Sequence, residues 1–207
     1  MIFRFLGDTH GEVDVIRNNI NFSPYPTIHV GDVGIGFDDD IDSGILDIYN
    51  NCHGYHKFIR GNHDNLTKIK HHYKHHWITD GTYWSDFNVM FVGGAHSIDK
   101  HYRKEGINWW RDEQIHTGLM SLILQRYLEI KPDIMVTHDL PYLATSHMFN
   151  VDPIKNDTGN LFETMMKFHQ PKLWIGGHWH DRMRCKIGNT KFCVVPMNGF
   201  MDIEISP

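Results

Sequence analysis

The chain has 207 residues, 41% apolar and 22% charged, with 20 Lys+Arg against 25 Asp+Glu and a formal charge of −5. That length and mixture fit one globular domain over 1–207 and exclude collagen-like and disordered classes. The acidic balance disfavours wrapping long nucleic acid by charge. The three cysteines, Cys52, Cys185 and Cys193, cannot form a disulfide framework and point to a reducing, cytoplasmic setting.

The first element is the apolar run Ile2–Leu6. It is too short for a signal-peptide core, and Gly7-Asp8 interrupts it. Val13, Ile16 and Ile20 have helical spacing, stopped by Pro24. Further short apolar runs follow at Thr27–Val30, Tyr55–Ile59, Asn88–Val92, Ile134–Val136 and Leu173–Ile175. They read as strands buried on both faces. Asp112 is placed to cap a helix carrying Ile115, Leu119, Leu122, Ile123 and Leu128, which Lys131-Pro132 ends. Another helix is expected within Leu161–Phe168, and antiparallel strands over Met183–Ile205 around Gly188-Asn189. No apolar run approaches the roughly 18 residues of a membrane span. The class is α/β.

The loop after each strand carries the chemistry. These loops begin Gly7-Asp8-Thr9-His10-Gly11, Gly31-Asp32, Arg60-Gly61-Asn62-His63-Asp64, Thr137-His138-Asp139 and Gly176-Gly177-His178-Trp179-His180. In open α/β sheets ligands bind beyond the carboxyl ends of strands, so five such loops converge. Asp, Asn and His are oxygen and nitrogen donors, and no cysteine takes part, which disfavours a structural zinc–thiolate site. Asp8 and His10 are two apart, as are His178 and His180, so each pair can address one cluster in an extended segment. Seven candidates result: Asp8, His10, Asp32, Asn62, His138, His178 and His180. That number exceeds one open site and suits two divalent ions sharing a carboxylate, with Mn, Fe or Zn fitting the mixed donors better than Mg or Ca. Two such ions would add about +4 locally and attract anions.

Gly-Asp-x-His-Gly, Gly-Asp, Gly-Asn-His-Asp, a lone His before Pro141 and Gly-His-x-His, in that order from residue 7 to residue 180, resemble the calcineurin-like metallophosphoesterase superfamily. The segment Gly93–Lys100, with Arg103 and Trp109-Trp110, is similar to small phage and bacterial members. The resemblance implies a sandwich of two mixed β-sheets flanked by helices. It implies Asp8, His10 and His180 on one metal, Asn62, His138 and His178 on the other, and Asp32 bridging. It further implies a metal-bridging hydroxide as nucleophile, His63 as proton donor to the leaving oxygen, and Asp64 orienting His63. Val33–Gly36 and Asp64 stand where Ser/Thr protein phosphatases carry Asp-Arg-Gly and Glu, whereas Arg60 matches that branch. The function expected is hydrolysis of a phosphomonoester, small or on a protein. Alternatives are a phosphodiesterase or nuclease, with nucleic acid entering only as substrate, and a non-catalytic scaffold of the same fold.

Other residues carry open readings. Arg60 either clamps phosphate or pairs with an acid beneath the site; Arg103 either reaches substrate or is solvated. Trp179 and Trp109-Trp110 are expected to pack more than to stack substrate. Asp139 is a candidate partner for a ligand imidazole. His71, His72, His75 and His76 form i,i+4 pairs if helical, but lack a third ligand and read as a solvated face; His29 reads as a core histidine. Cys185 and Cys193 flank the Gly188-Asn189 turn, either facing each other or separately packed as thiols.

Overall fold

The computed structural model describes residues 1–205. Residues 206–207, part of the expected domain over 1–207, lie outside the described residues. The strands are β1 (Ile2–Leu6), β2 (Thr27–His29), β3 (His56–Phe58), β4 (Thr82–Trp84), β5 (Val89–Val92), β6 (Ile134–Thr137), β7 (Leu173–Gly176), β8 (Met183–Ile187), β9 (Thr190–Val194) and β10 (Phe200–Glu204). The helices are α1 (Val13–Asn21), α2 (Asp39–Asn51), α3 (Leu66–His72), α4 (Thr117–Ile130), α5 (Tyr142–Phe149) and α6 (Asp157–Phe168). One sheet runs β10-β1-β2-β3 and the other β4-β5-β6-β7-β9-β8. Both are mixed: β1, β2 and β3 are parallel with β10 antiparallel, and β5, β6, β7 and β9 are parallel with β4 and β8 antiparallel.

Alternation along the strands builds the layers, because successive side chains point to opposite faces. Phe3, Phe5, Ile28, Phe91, Val136 and Ile175 meet between the sheets. Their neighbours Met90, Met135 and Trp174 face outward into the core under α4, α5 and α6. Leu6 and Phe58 face the opposite layer, where α1, α2 and α3 bury Ile16, Ile20, Ile45, Ile48 and Ile69. The expected two-sheet sandwich with flanking helices is therefore present.

Several local expectations are corrected. α4 starts at Thr117, and its N-cap is His116, whose ring accepts from the Gly118 amide; Asp112 is not the cap. Met183–Ile205 is not one antiparallel set, since β10 leaves the β8–β9 hairpin and pairs with β1 across the sandwich. Cys185 pairs with Phe192 and Cys193 with Arg184, so the two thiols sit on opposite faces and both are free. The helix α2 adds to the predicted elements. Asp38 caps it by accepting from the amides of Asp40 and Ile41, and its first turn is acidic, which suits the positive end of a helix.

Candidate active site

The parallel strands β1, β2, β3, β6 and β7 all end at one place. Each of three triads brings one ligand atom per residue within 4.8 Å of the others: Asp8, His10 and His180; Asp32, His138 and His178; and His10, Asp32 and His63. His10 Nε2 lies 3.1 Å from His180 Nε2, and His180 Nε2 lies 3.2 Å from Asp8 Oδ2. His138 Nε2 lies 3.2 Å from Asp32 Oδ1 and 3.0 Å from Asn62 Oδ1. Asp32 stands between the two groups, its Oδ2 3.9 Å from His10 Nε2. The seven candidates thus come together.

The backbone is bent to do this. His10, Asp32, His178 and His180 all have φ between 46° and 63°, a left-handed conformation that costs a non-glycine residue about 1–3 kcal/mol. Four of seven candidate ligands in that region is strain concentrated at a site, held by the sandwich beneath. Two close approaches demand glycine. A Cβ on Gly61 would collide with the Asp32 carboxylate, and one on Gly177 with Asp8 Oδ1.

The donor chemistry fits metal ions. His138 Nδ1 lies 2.8 Å from the Val30 carbonyl, which only accepts, so Nδ1 holds a ring proton and Nε2 presents a lone pair whenever the imidazole is neutral. That lone pair faces oxygens of Asp32 and Asn62, which are acceptors too. Asp32 Oδ2 is buried without a hydrogen-bond partner. Converging lone pairs and an orphaned carboxylate oxygen are what a cation would satisfy. Without one, protons compensate. Burial opposes charge on His138, but the Asp32 carboxylate overrides it and pushes the imidazole up to about 10. Burial likewise opposes ionisation of Asp32, yet His138 holds its carboxyl well below the usual value.

The family description "Calcineurin-like phosphoesterase" matches residues 1–182. The chain belongs to the calcineurin-like phosphoesterase family. This is a family of dinuclear-metal-dependent phosphate ester hydrolases. Among solved structures, a putative 5'-nucleotidase from Staphylococcus aureus in complex with alpha-ketoglutarate is similar, with TM-score 0.55 and 14% identity over 96% of this chain and 49% of that one. The phosphopantetheinyl hydrolase PptH from Mycobacterium tuberculosis is similar with TM-score 0.52 and 13% identity, over 95% and 89%. The chain thus spans about half the length of the first of these. No curated protein matches the sequence. At these identities the structural likeness shows the fold.

In this calcineurin-like phosphoesterase the clusters open into a cleft of about 480 Å³. His63 lines it, its ring 5.2 Å from that of His10 and its amide donating to Asp32 Oδ1 at 2.8 Å. Arg103 lines it as well, with Nε and a terminal nitrogen on the two oxygens of Asp99. Asp64 does not orient His63 directly. Its carboxylate accepts from the amides of Val33, Gly34, Ile35 and Gly61, and so ties the loop after β2 to the loop after β3. Burial pushes the Asp64 carboxyl up. Arg60 does not face the cleft: it is 2% exposed, pairs with Asp80 at 3.0 Å and donates to the carbonyls of Asp112, Glu113 and Gln114.

Asp139 accepts from Trp179 Nε1 and the Leu140 amide rather than from a ligand imidazole, while His138 is held by Val30. Trp179 stacks on Phe149 at 4.7 Å, and Trp110 packs on Phe37 at 4.8 Å. α3 ends at His72, so His71 and His72 form no i,i+4 pairs with His75 and His76; His76 instead faces Asn50 Oδ1. His29 is fully buried, bonded through Nε2 to Thr9 Oγ1, with Nδ1 unpartnered. The residues that sequence reasoning missed are Ser97, Glu113 and Asp80. Only the Gly93-Gly94 turn after a strand, the same signal as at the ligand loops, marked their neighbourhood.

Proposed function

We propose that the chain hydrolyses a phosphomonoester, with two divalent ions held by Asp8, His10 and His180 on one side, Asn62, His138 and His178 on the other, and Asp32 between. The observation that carries this reading is the two clusters with Asp32 between them, its buried Oδ2 3.9 Å from His10 Nε2 and without a hydrogen-bond partner. Mn is the first choice and Fe or Zn the alternatives, given imidazole and carboxylate donors without thiolate. When bound, the ions supply Lewis acidity for charge on the phosphoryl oxygens and lower the pKa of water toward about 7.

The rest falls to the chain's own side chains. Arg103 is the only lysine or arginine among the described residues lining the cleft. One guanidinium suits one phosphate group, whereas a nucleic-acid strand calls for a row of cations. In the chain without metal or substrate, burial pushes the His63 imidazole down to about 4. A phosphate dianion beside it raises that value, so that the ring takes up a proton from solvent and then delivers it to the leaving oxygen. General acid catalysis of this kind is worth about 10²–10⁴-fold. Three free cysteines support a reducing cytoplasm, of a bacterial cell or of a phage's host, and among the described residues no helix is long and apolar enough to cross a membrane.

A phosphate-release screen with added Mn over monoesters, diesters, phosphopeptides and dinucleoside polyphosphates tests the reading. Monoesters are expected to turn over fastest; faster cleavage of bis-p-nitrophenyl phosphate than of p-nitrophenyl phosphate would install the diesterase instead. Asp32→Ala should lose metal, measured by plasma mass spectrometry, together with activity. His63→Asn should slow an alkyl phosphate more than p-nitrophenyl phosphate, whose leaving group barely needs a proton. Equal losses remove His63 from that role. No turnover with Mn, Fe, Co, Ni or Zn on any substrate leaves the scaffold reading.

A further inference from the structure

An asparagine amide has two nearly isosteric ends, and only the oxygen can ligate a cation. Asn62 is 1% exposed, so bulk water cannot choose which end faces the cluster. A neutral His138 favours the wrong end, because its Nε2 lone pair, 3.0 Å from the Asn62 amide, would accept an N–H. The Asp32 carboxylate would prefer the wrong end, since an amide N–H pointing inward could donate to it. Something on the far side of Asn62 has to hold the nitrogen outward.

That group is Ser97. Asn62 Nδ2 donates to Ser97 Oγ at 3.0 Å, in a contact buried from solvent. Ser97 is itself 2% exposed and fixed from behind. Its amide lies 3.2 Å from Glu113 Oε1, and Glu113 Oε2 accepts from Trp109 Nε1 at 2.7 Å. Glu113 is 2% exposed, and its carbonyl accepts from both Arg60 and the Ala95 amide. The hydroxyl therefore sits on a braced loop.

We propose that Ser97 is a positioning residue that holds the Asn62 amide with its nitrogen outward and its oxygen toward His138, His178 and Asp32. The proposal rests on the metal reading of that cluster. Removing the hydroxyl leaves a buried N–H without a partner, and beside the neutral His138 that ligation requires, the amide gains by turning to donate to Nε2 or to Asp32. A cation must then turn it back, at the expense of affinity. Aspartate at position 62 has two equivalent oxygens and no wrong end, so the benefit of Ser97 should vanish there.

The test is a Mn²⁺ titration followed by electron paramagnetic resonance, on the wild type, Ser97→Ala, Asn62→Asp and the double variant. Two Mn²⁺ per wild-type chain are expected, with Ser97→Ala weakening one of them about 10–100-fold, as usual for a lost partner of a ligand, and leaving the other unchanged. In the Asn62→Asp background, Ser97→Ala should change that affinity by less than about twofold. Ser97→Ala without effect overturns the proposal, and so does an equal loss in both backgrounds, which would assign Ser97 to loop packing. A wild type that binds no Mn²⁺ overturns the metal reading itself, a separate outcome.

Discussion

The underside and the rim of the segment between β5 and α4 differ in what their arginines do. Beneath it, Arg60 spends four hydrogen bonds on Asp80 and on three successive carbonyls, and Asp80 in turn accepts from the Gly93 amide. On the rim, Arg103 meets Asp99 and the Asn108 carbonyl but keeps an edge on the cleft beside His63. A guanidinium walled in by carbonyls and one carboxylate is a strut. A guanidinium one-fifth exposed at the mouth of a cleft can still change partner. The same residue type thus supports the wall in one place and offers charge to a phosphate in the other.

Arg60→Met would break this division most forcefully. It leaves Asp80 buried and unpaired, a change that costs about 3–5 kcal/mol by chemical denaturation. Full stability with weakened substrate binding would put Arg60 in the cleft after all. Next in size is the acid response of the ligand side. Burial lowers the His29 imidazole to about 4, against about 6.5 when unfolded. The unfolded chain therefore binds the extra proton, and stability present above pH 6.5 is lost as pH falls through 4. In metal-free protein the loss should reach up to about 3 kcal/mol, and His29→Asn should remove that part from the pH profile of the denaturation midpoint.

Arg103→Gln should raise KM about tenfold at nearly constant kcat and stability, the loss of one charge-assisted contact. A falling midpoint instead would make the rim a strut too. The smallest effect belongs to the exposed pair Arg111–Glu105, 2.9 Å apart with side chains 81% and 50% exposed. Glu105→Gln should leave melting temperature and KM within error, because solvent screens such pairs.

Legibility in the sequence follows the same line. The ligand loops are readable because each needs a fixed residue type at a fixed distance from a strand end, and strands buried on both faces announce themselves as unbroken apolar runs. Asp64 stands in the right motif but plays a different part. Its four amide donors come from two loops, Val33, Gly34 and Ile35 from one and Gly61 from the other, which spacing does not reveal. Arg60 and Arg103 have equal claims in sequence, since a guanidinium reads the same whether carbonyls or water surround it. α2 escapes a reading by apolar runs because Ile45, Ile48 and Tyr49 make a sparse face among polar residues, although its cap and acidic first turn are present.

By itself the sequence determined the set of donors and their order at the ends of buried strands, since oxygen and nitrogen ligands, glycines and apolar runs are local properties. Tertiary structure alone decided the rest. It placed Ser97 behind Asn62, turned Asp64 into a tie between loops, buried Arg60 under the wall and carried β10 to the opposite sheet. Those outcomes depend on which backbone groups lie opposite a side chain across long sequence separations, and hydrogen bonds between distant segments leave no period in the chain.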